Sequence, residues 1–124
     1  MTARLDSLER AVARFGEALE APETDMNRDA TIQRFEFCFE LAWKTIQGRA
    51  REEGLDCQSP KECLRVAFRM GWLDDESNWL AMLDDRNRTS HTYDERFAHQ
   101  LYSRLPDYLP LLQSLTKRFH SDAS

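Results

Sequence analysis

Glycine is sparse in this chain, and its four residues, Gly16, Gly48, Gly54 and Gly71, are scattered singly. That spacing excludes a Gly-rich phosphate-cradling loop. Cysteine is sparser still. Cys38, Cys57 and Cys63 form no C-x-x-C and no paired framework. An odd count without an export signal reads as three reduced thiols. No apolar run approaches the roughly 20 residues of a membrane span, and no signal-peptide core opens the chain. A cytoplasmic location is the expectation. An excess of positive charge is also missing. The net charge of −5 argues against broad electrostatic attraction to nucleic acid. A local basic footprint at Arg86, Arg88 and Arg96 stays open beside the plainer alternative, pairing with Asp84, Asp85 and Asp94. Metal ligands are poorly represented: His91, His99 and His120 are not spaced as a helical pair, and no cysteine sits at ligand spacing. Neither a metal nor a cofactor is expected, and His99 and His120 read as surface residues.

What is present is helical periodicity in a chain of 124 residues, long enough for one domain over 1–124 that buries roughly two thirds of its unfolded surface. Leu5, Leu8, Val12, Phe15 and Leu19 recur at three- and four-residue intervals, predicting a helix from Ala3 to Glu20 that stops before Pro22. Asn27 or Asp29 can cap a second helix that runs to Glu53, with Gly54 as its stop. One broad face of that helix carries Phe35, Cys38, Phe39, Ala42, Trp43 and Ile46, and a second patch carries Phe37 and Leu41. A helix apolar on two sides has two things to pack against, so the second patch reads as a subunit interface, against the alternative of a helix central to one bundle. Ser59-Pro60-Lys61-Glu62 is a strong helix start, and Gly71 ends that short helix. Asp74 or Asp75 caps a fourth helix. A fifth begins near Thr92, is interrupted by Pro106 and Pro110, and ends in a frayed tail over 120–124. No strand and no repeat is evident, and the fold class is all-α: a four-helix core plus one short helix.

The chemistry gathers at Asp84-Asp85-Arg86-Asn87-Arg88-Thr89-Ser90-His91-Thr92-Tyr93. On an ideal helix Trp79, Met82, Leu83 and Arg86 share one arc, so a guanidinium stands where a core residue is expected. A carboxylate should pair with it, and Glu36 or Glu40 of the second helix is a candidate. Glu40 can alternatively pair with Lys44 at i,i+4. Thr92-Tyr93-Asp94-Glu95 has the form of a capping box, which would put His91 in a helix break and free of the helical direction. Arg86, His91 and Tyr93, with Asn87 and Ser90 beside them, suit phosphodiester cleavage without metal, the plainer alternative being a buried Arg–carboxylate pair with a helix-terminal His. A histidine can move a proton to or from ribose oxygens, and a guanidinium can brace the phosphate as charge builds.

Phe35-Glu36-Phe37-Cys38-Phe39-Glu40-Leu41-Ala42-Trp43-Lys44 resembles the hallmark second helix of the nucleotidyltransferase substrate-binding protein family. Ser59-Pro60, then Trp79-Leu80-x-Met82-Leu83-x-x-Arg86-Asn87-x-Thr89-Ser90-His91-Thr92-Tyr93-Asp94-Glu95, and finally Tyr108-Leu109-Pro110-Leu111-Leu112 extend the likeness over almost the whole chain, Leu5 to Phe119. The resemblance implies an antiparallel helical bundle of the HEPN type that forms homodimers or larger assemblies. It implies a minimal nucleotidyltransferase as partner in a two-component, toxin–antitoxin-like system. It further implies that Arg86 and His91 match the catalytic pair of an RNA-cleaving Arg-x4-His-x-Tyr motif. Tyr93 matches the tyrosine that the partner modifies with AMP. Asn87 matches the polar residue that follows the arginine. The other role the resemblance allows is non-catalytic: a substrate-binding or scaffolding subunit that uses the same cleft.

Overall fold

The structure, a computed structural model, describes residues 2–91 and 94–123. Among them are five helices and no strand: α1 (Thr2–Glu20), α2 (Asp25–Glu52), α3 (Pro60–Arg69), α4 (Glu76–His91) and α5 (Glu95–Ala123). The long α1, α2 and α5 pack against one another, and α2 touches every other helix, which makes it the centre of an antiparallel bundle. The predicted stripes meet in one continuous core. Leu5, Leu8, Val12 and Phe15 of α1 join Phe35, Cys38, Phe39, Ala42 and Ile46 of α2 and Leu101, Leu105, Leu112 and Phe119 of α5.

Helix boundaries follow local chemistry. Thr24, rather than Asn27 or Asp29, caps α2 by accepting from the Asn27 amide at 3.1 Å. The helix starts earlier than expected because Arg28 then binds Glu23 and Asp25, each at 3.0 Å, and closes the first turn. Ser59 accepts from the Glu62 amide and Pro60 opens α3, as the motif requires. Gly54 and Gly71 both take φ of 76°, the left-handed conformation that glycine adopts cheaply, and each ends the helix before it. Asp75 accepts from the Asn78 amide ahead of α4.

Four expectations need correcting. Cys57 and Cys63 are joined by a disulfide, with Cα atoms 5.2 Å apart, because the Ser59-Pro60 turn folds residue 57 back over the first turn of α3. Cys38 alone is a free thiol, and burial pushes it up to about 12. Pro106 and Pro110 do not interrupt α5, which is continuous. Both are exposed, while the Leu101-Leu105-Tyr108-Leu112 stripe stays buried. The tail is helical through Ala123. There Asp122 reaches Arg49 and Arg118, and His120 meets Glu9 at 3.2 Å. Finally, α4 continues through His91, and Asp94 accepts from the Phe97 amide at 2.7 Å ahead of α5; the expected capping box begins at Thr92, outside the described residues.

Candidate functional site

α4 is anchored by Trp79, Met82 and Leu83 in the core, and the next residue on that arc is Arg86, half-buried at the bundle edge. Its Nη2 donates to Glu40 Oε2 of α2 at 2.5 Å, and its Nη1 donates to Asn87 Oδ1 at 3.2 Å. The guanidinium carbon lies 6.0 Å from the centre of the Phe39 ring, a cation–π contact that helps an arginine sit in an apolar arc. Glu40 is the carboxylate that the misplaced charge demanded. The same Oε2 also accepts from Trp43 Nε1 at 3.1 Å, while Oε1 meets Lys44 Nζ at 3.3 Å. The two alternatives for Glu40, Lys44 and Arg86, are thus realised together. Burial alone would raise the Glu40 carboxyl, but the Trp43 hydrogen bond and the charges of Arg86 and Lys44 outweigh it and hold it below its ordinary range.

Glu36, one turn earlier, is in the opposite situation. Burial raises its carboxyl above the ordinary value, against a hydrogen bond with Thr89 and the charge of Arg86. The single Thr89 hydroxyl proton is shared between that carboxylate and the Arg86 carbonyl at 2.6 Å, tying the last turns of α4 together. The result is a half-buried cluster of two carboxylates, two cations and hydroxyl and indole donors where α2 meets α4.

His91 is placed differently from the expectation. It ends α4, exposed, about 140° around the helix from Arg86. No hydrogen bond or ion pair joins it to another described residue. Ser90 is exposed on the same turn. Tyr93, the expected acceptor of AMP, and Thr92 lie outside the described residues. Beyond them Arg88 stacks over the Phe97 ring at 4.5 Å and packs the end of α4 onto α5. Among the described residues no group of three or more His, Cys, Asp or Glu is placed to hold a metal ion.

A second polar cluster, one that sequence reasoning misses, lies behind the first. Asp85, only 5% exposed, accepts two hydrogen bonds from Arg104, at 2.9 and 2.7 Å, and one from Tyr108 Oη at 2.5 Å. The hydrogen bond from Arg104 to Asp85 raises the guanidinium, and burial followed by the bond to Asp85 raises the Tyr108 phenol. This fork draws Asp85 away from the neighbouring arginines it was expected to meet. The available signal was Tyr108 itself, a phenol within the α5 apolar stripe and four residues from Arg104, which needs a buried partner. With Asp85 held by α5 and Arg86 held by α2, adjacent residues fix the rotation of α4 from two sides.

The family model described as "Nucleotidyltransferase substrate binding protein like" matches residues 3–121. A Haemophilus influenzae protein named "Probable ribonuclease HepT" is 36% identical over 100 residues, 73% of this chain and 68% of that protein. A crystal structure of a Thermus thermophilus protein superposes with a TM-score of 0.83 at 42% identity, over 90% of this chain and 97% of that one. A Haemophilus influenzae structure, described as revealing the fold of a substrate-binding domain of a nucleotidyltransferase, superposes with a TM-score of 0.71 at 30% identity, over 96% of both chains.

Proposed function

The chain belongs to the nucleotidyltransferase substrate-binding protein family, and from that premise we propose that it is the helical subunit of a two-component system with a minimal nucleotidyltransferase, acting as a metal-independent endoribonuclease through Arg86 and His91. The observation that carries this reading is the Arg86 guanidinium, braced on Glu40 at the bundle edge about a turn and a half before an exposed histidine. Arg86 and His91 diverge around α4, so the reading requires a homodimer in which two copies line one cleft. One His91 imidazole takes the proton of a ribose 2′-OH as O2′ attacks phosphorus. The other gives a proton to the departing 5′-oxygen. Arg86 steadies the charge that builds on the phosphoryl oxygens. The products are a 2′,3′-cyclic phosphate and a 5′-hydroxyl. Tyr93 is the site at which the partner would attach AMP from ATP, with release of pyrophosphate, putting a negative charge beside the cleft.

RNA, including structured RNA such as tRNA, should therefore be cut with chelator present, while DNA of the same sequence is left intact. His91→Ala should lose roughly 10²–10⁴-fold. Arg86→Lys keeps the charge but loses the planar fork, and should fall well below wild type. Incubation with the partner, ATP and Mg²⁺ should add AMP mass and silence cleavage, and Tyr93→Phe should prevent the main adduct. Cleavage undiminished in His91→Ala would sink the assignment of the proton-transfer residue. A second reading is favoured by the divergence of Arg86 and His91 within one chain: a non-catalytic subunit that holds a substrate for its partner in the polar cluster of Glu40, Lys44 and Arg86. Well-folded, unmodified protein that cuts none of the RNAs would put that reading first.

A further inference from the structure

The seam between α1 and α2 holds three clefts joined by shared residues. One of about 800 Å³ is lined by Arg4, Leu41, Gly48 and Arg51 among others. The next, about 260 Å³, is lined by Arg10, Arg14, Arg34 and Phe37 with Ser7 and Ala11, and no carboxylate faces it. The third, about 270 Å³, continues from Arg14 and Arg34 toward Asn27. Five exposed arginines against Glu17 and Glu52 thus follow one groove on a chain whose net charge is −5. The Arg4 guanidinium donates to the Lys44 carbonyl at 3.1 Å. Those of Arg10, Arg14 and Arg34 make no hydrogen bond or ion pair with a described residue. Arg10 and Arg14 are four apart, a like-charge spacing that costs a helix a few tenths of a kcal/mol, and Arg34 faces the same cleft from α2. No ion pair among the described residues offsets that repulsion.

We propose that this arginine tract binds the phosphodiester backbone of RNA, holding the substrate of the activity proposed above, on which this inference rests. The groove is elongated, which fits an extended polyanion better than a single phosphate. Its cations are all guanidinium groups, whose planar forks match phosphate oxygens. Its position also suits the role. Arg34, Phe37 and Glu40 step around the exposed arc of α2 by about 60° each, so Phe37 is the ridge between the tract and the Arg86–Glu40 cluster. A strand lying in the seam passes beside that cluster.

The test is binding of a fluorescein-labelled single-stranded RNA, followed by anisotropy over a range of salt, in a His91→Ala background so that nothing is cut. Each single-strand phosphate contact contributes about 0.7 to the slope of log K against log salt. The triple variant R10Q/R14Q/R34Q should therefore bind more weakly at low salt, with a slope shallower by about 2. Circular dichroism checks that it is folded. Should the triple variant not fold, the three single variants carry the same test, each losing about 0.7 of slope. An unchanged affinity and slope would overturn the proposal, as would a parent protein that binds no RNA. It would also be overturned if the variant bound RNA normally but lost the nucleotidyltransferase, which would make the groove a protein-docking surface. RNA held through the tract by wild-type protein that cuts nothing would sustain this inference while removing the ribonuclease reading.

Discussion

Glu36 and Glu40 lie one turn apart on α2, yet their surroundings drive them in opposite directions. Glu40 has an indole donor and two cations, which favour its charge. Glu36 is raised by a burial that its partners only partly offset. Linkage turns this into a stability prediction. A carboxyl whose folded value is raised contributes stability that is present below its unfolded value and is lost as pH rises through the folded one. At neutral pH, then, an ionised Glu36 works against the fold. Glu36→Gln keeps the shape of the neutral acid, so it should melt at a higher temperature than wild type at pH 7, with the gap closing as pH falls below about 4.3. Glu40→Gln should do the reverse, because stability from a depressed carboxyl is present above its unfolded value and lost in acid. Melting curves at several pH values separate the two, and a Glu36→Gln protein less stable than wild type at pH 7 would show that its charge is needed. At this scale the sequence is half legible. Arg86 on an apolar arc announces a buried partner. Asp85 next to it looks like an ordinary surface acid, because its partners Arg104 and Tyr108 are 19 and 23 residues away.

Among the elements, those with local instructions are legible in the sequence and those settled by tertiary packing are not. Ser59-Pro60 with Glu62, and Gly54 and Gly71, act through neighbouring backbone groups, and the structure agrees with them. From sequence α5 reads as broken because proline removes an amide and crowds the preceding turn, a rule that holds for an isolated helix. Here the face opposite the prolines buries Leu101, Leu105, Tyr108 and Leu112, and that packing keeps the element whole. The end of α4 is hidden for a related reason: a capping-box pattern reads as a helix break near His91, whereas α4 runs through His91 and Asp94 accepts from the Phe97 amide ahead of α5. If packing tolerates the prolines rather than needing them, restoring an amide should help. Proline costs about 3 kcal/mol relative to alanine inside a helix, so Pro106→Ala and Pro110→Ala should each stabilise the protein by roughly 1–3 kcal/mol in urea unfolding. Loss of stability in either would mean that the fixed backbone angle of the proline is needed to seat Tyr108 against Asp85.

For the molecule as a whole, the open question in the fold is the exposed side of α2. The helix is central to its own bundle, yet Phe37 remains 61% exposed and Met26 80%, with Leu41 half-buried between α2 and α1. A central helix explains the broad buried face but not an aromatic ring left in water on the opposite side. Exposed apolar residues grouped on one helix face are characteristic of an interface, and a two-fold contact would use the same face of both copies. The proposed function points the same way, because Arg86 and His91 diverge within one chain and would need a second copy to line a common cleft. Phe37 is also the ridge between Glu40 and the arginine tract, so a two-fold contact along that ridge brings the two Arg86–Glu40 clusters toward the shared axis and sets the two tracts on its α1 side. Wild-type protein should therefore sediment as a dimer, or a dimer of dimers, at micromolar concentration. Phe37→Glu with Leu41→Glu should give monomers, each retaining its helical content because neither side chain is fully buried in the bundle. Those monomers should also lose RNA cleavage at saturating RNA to about the extent of His91→Ala, roughly 10²-fold or more, although their own Arg86 and His91 are intact; saturation is needed because Phe37 and Leu41 also line the arginine-bearing clefts. A wild-type monomer at that concentration would remove the shared cleft, and monomeric variants that still cut RNA would show that one chain suffices.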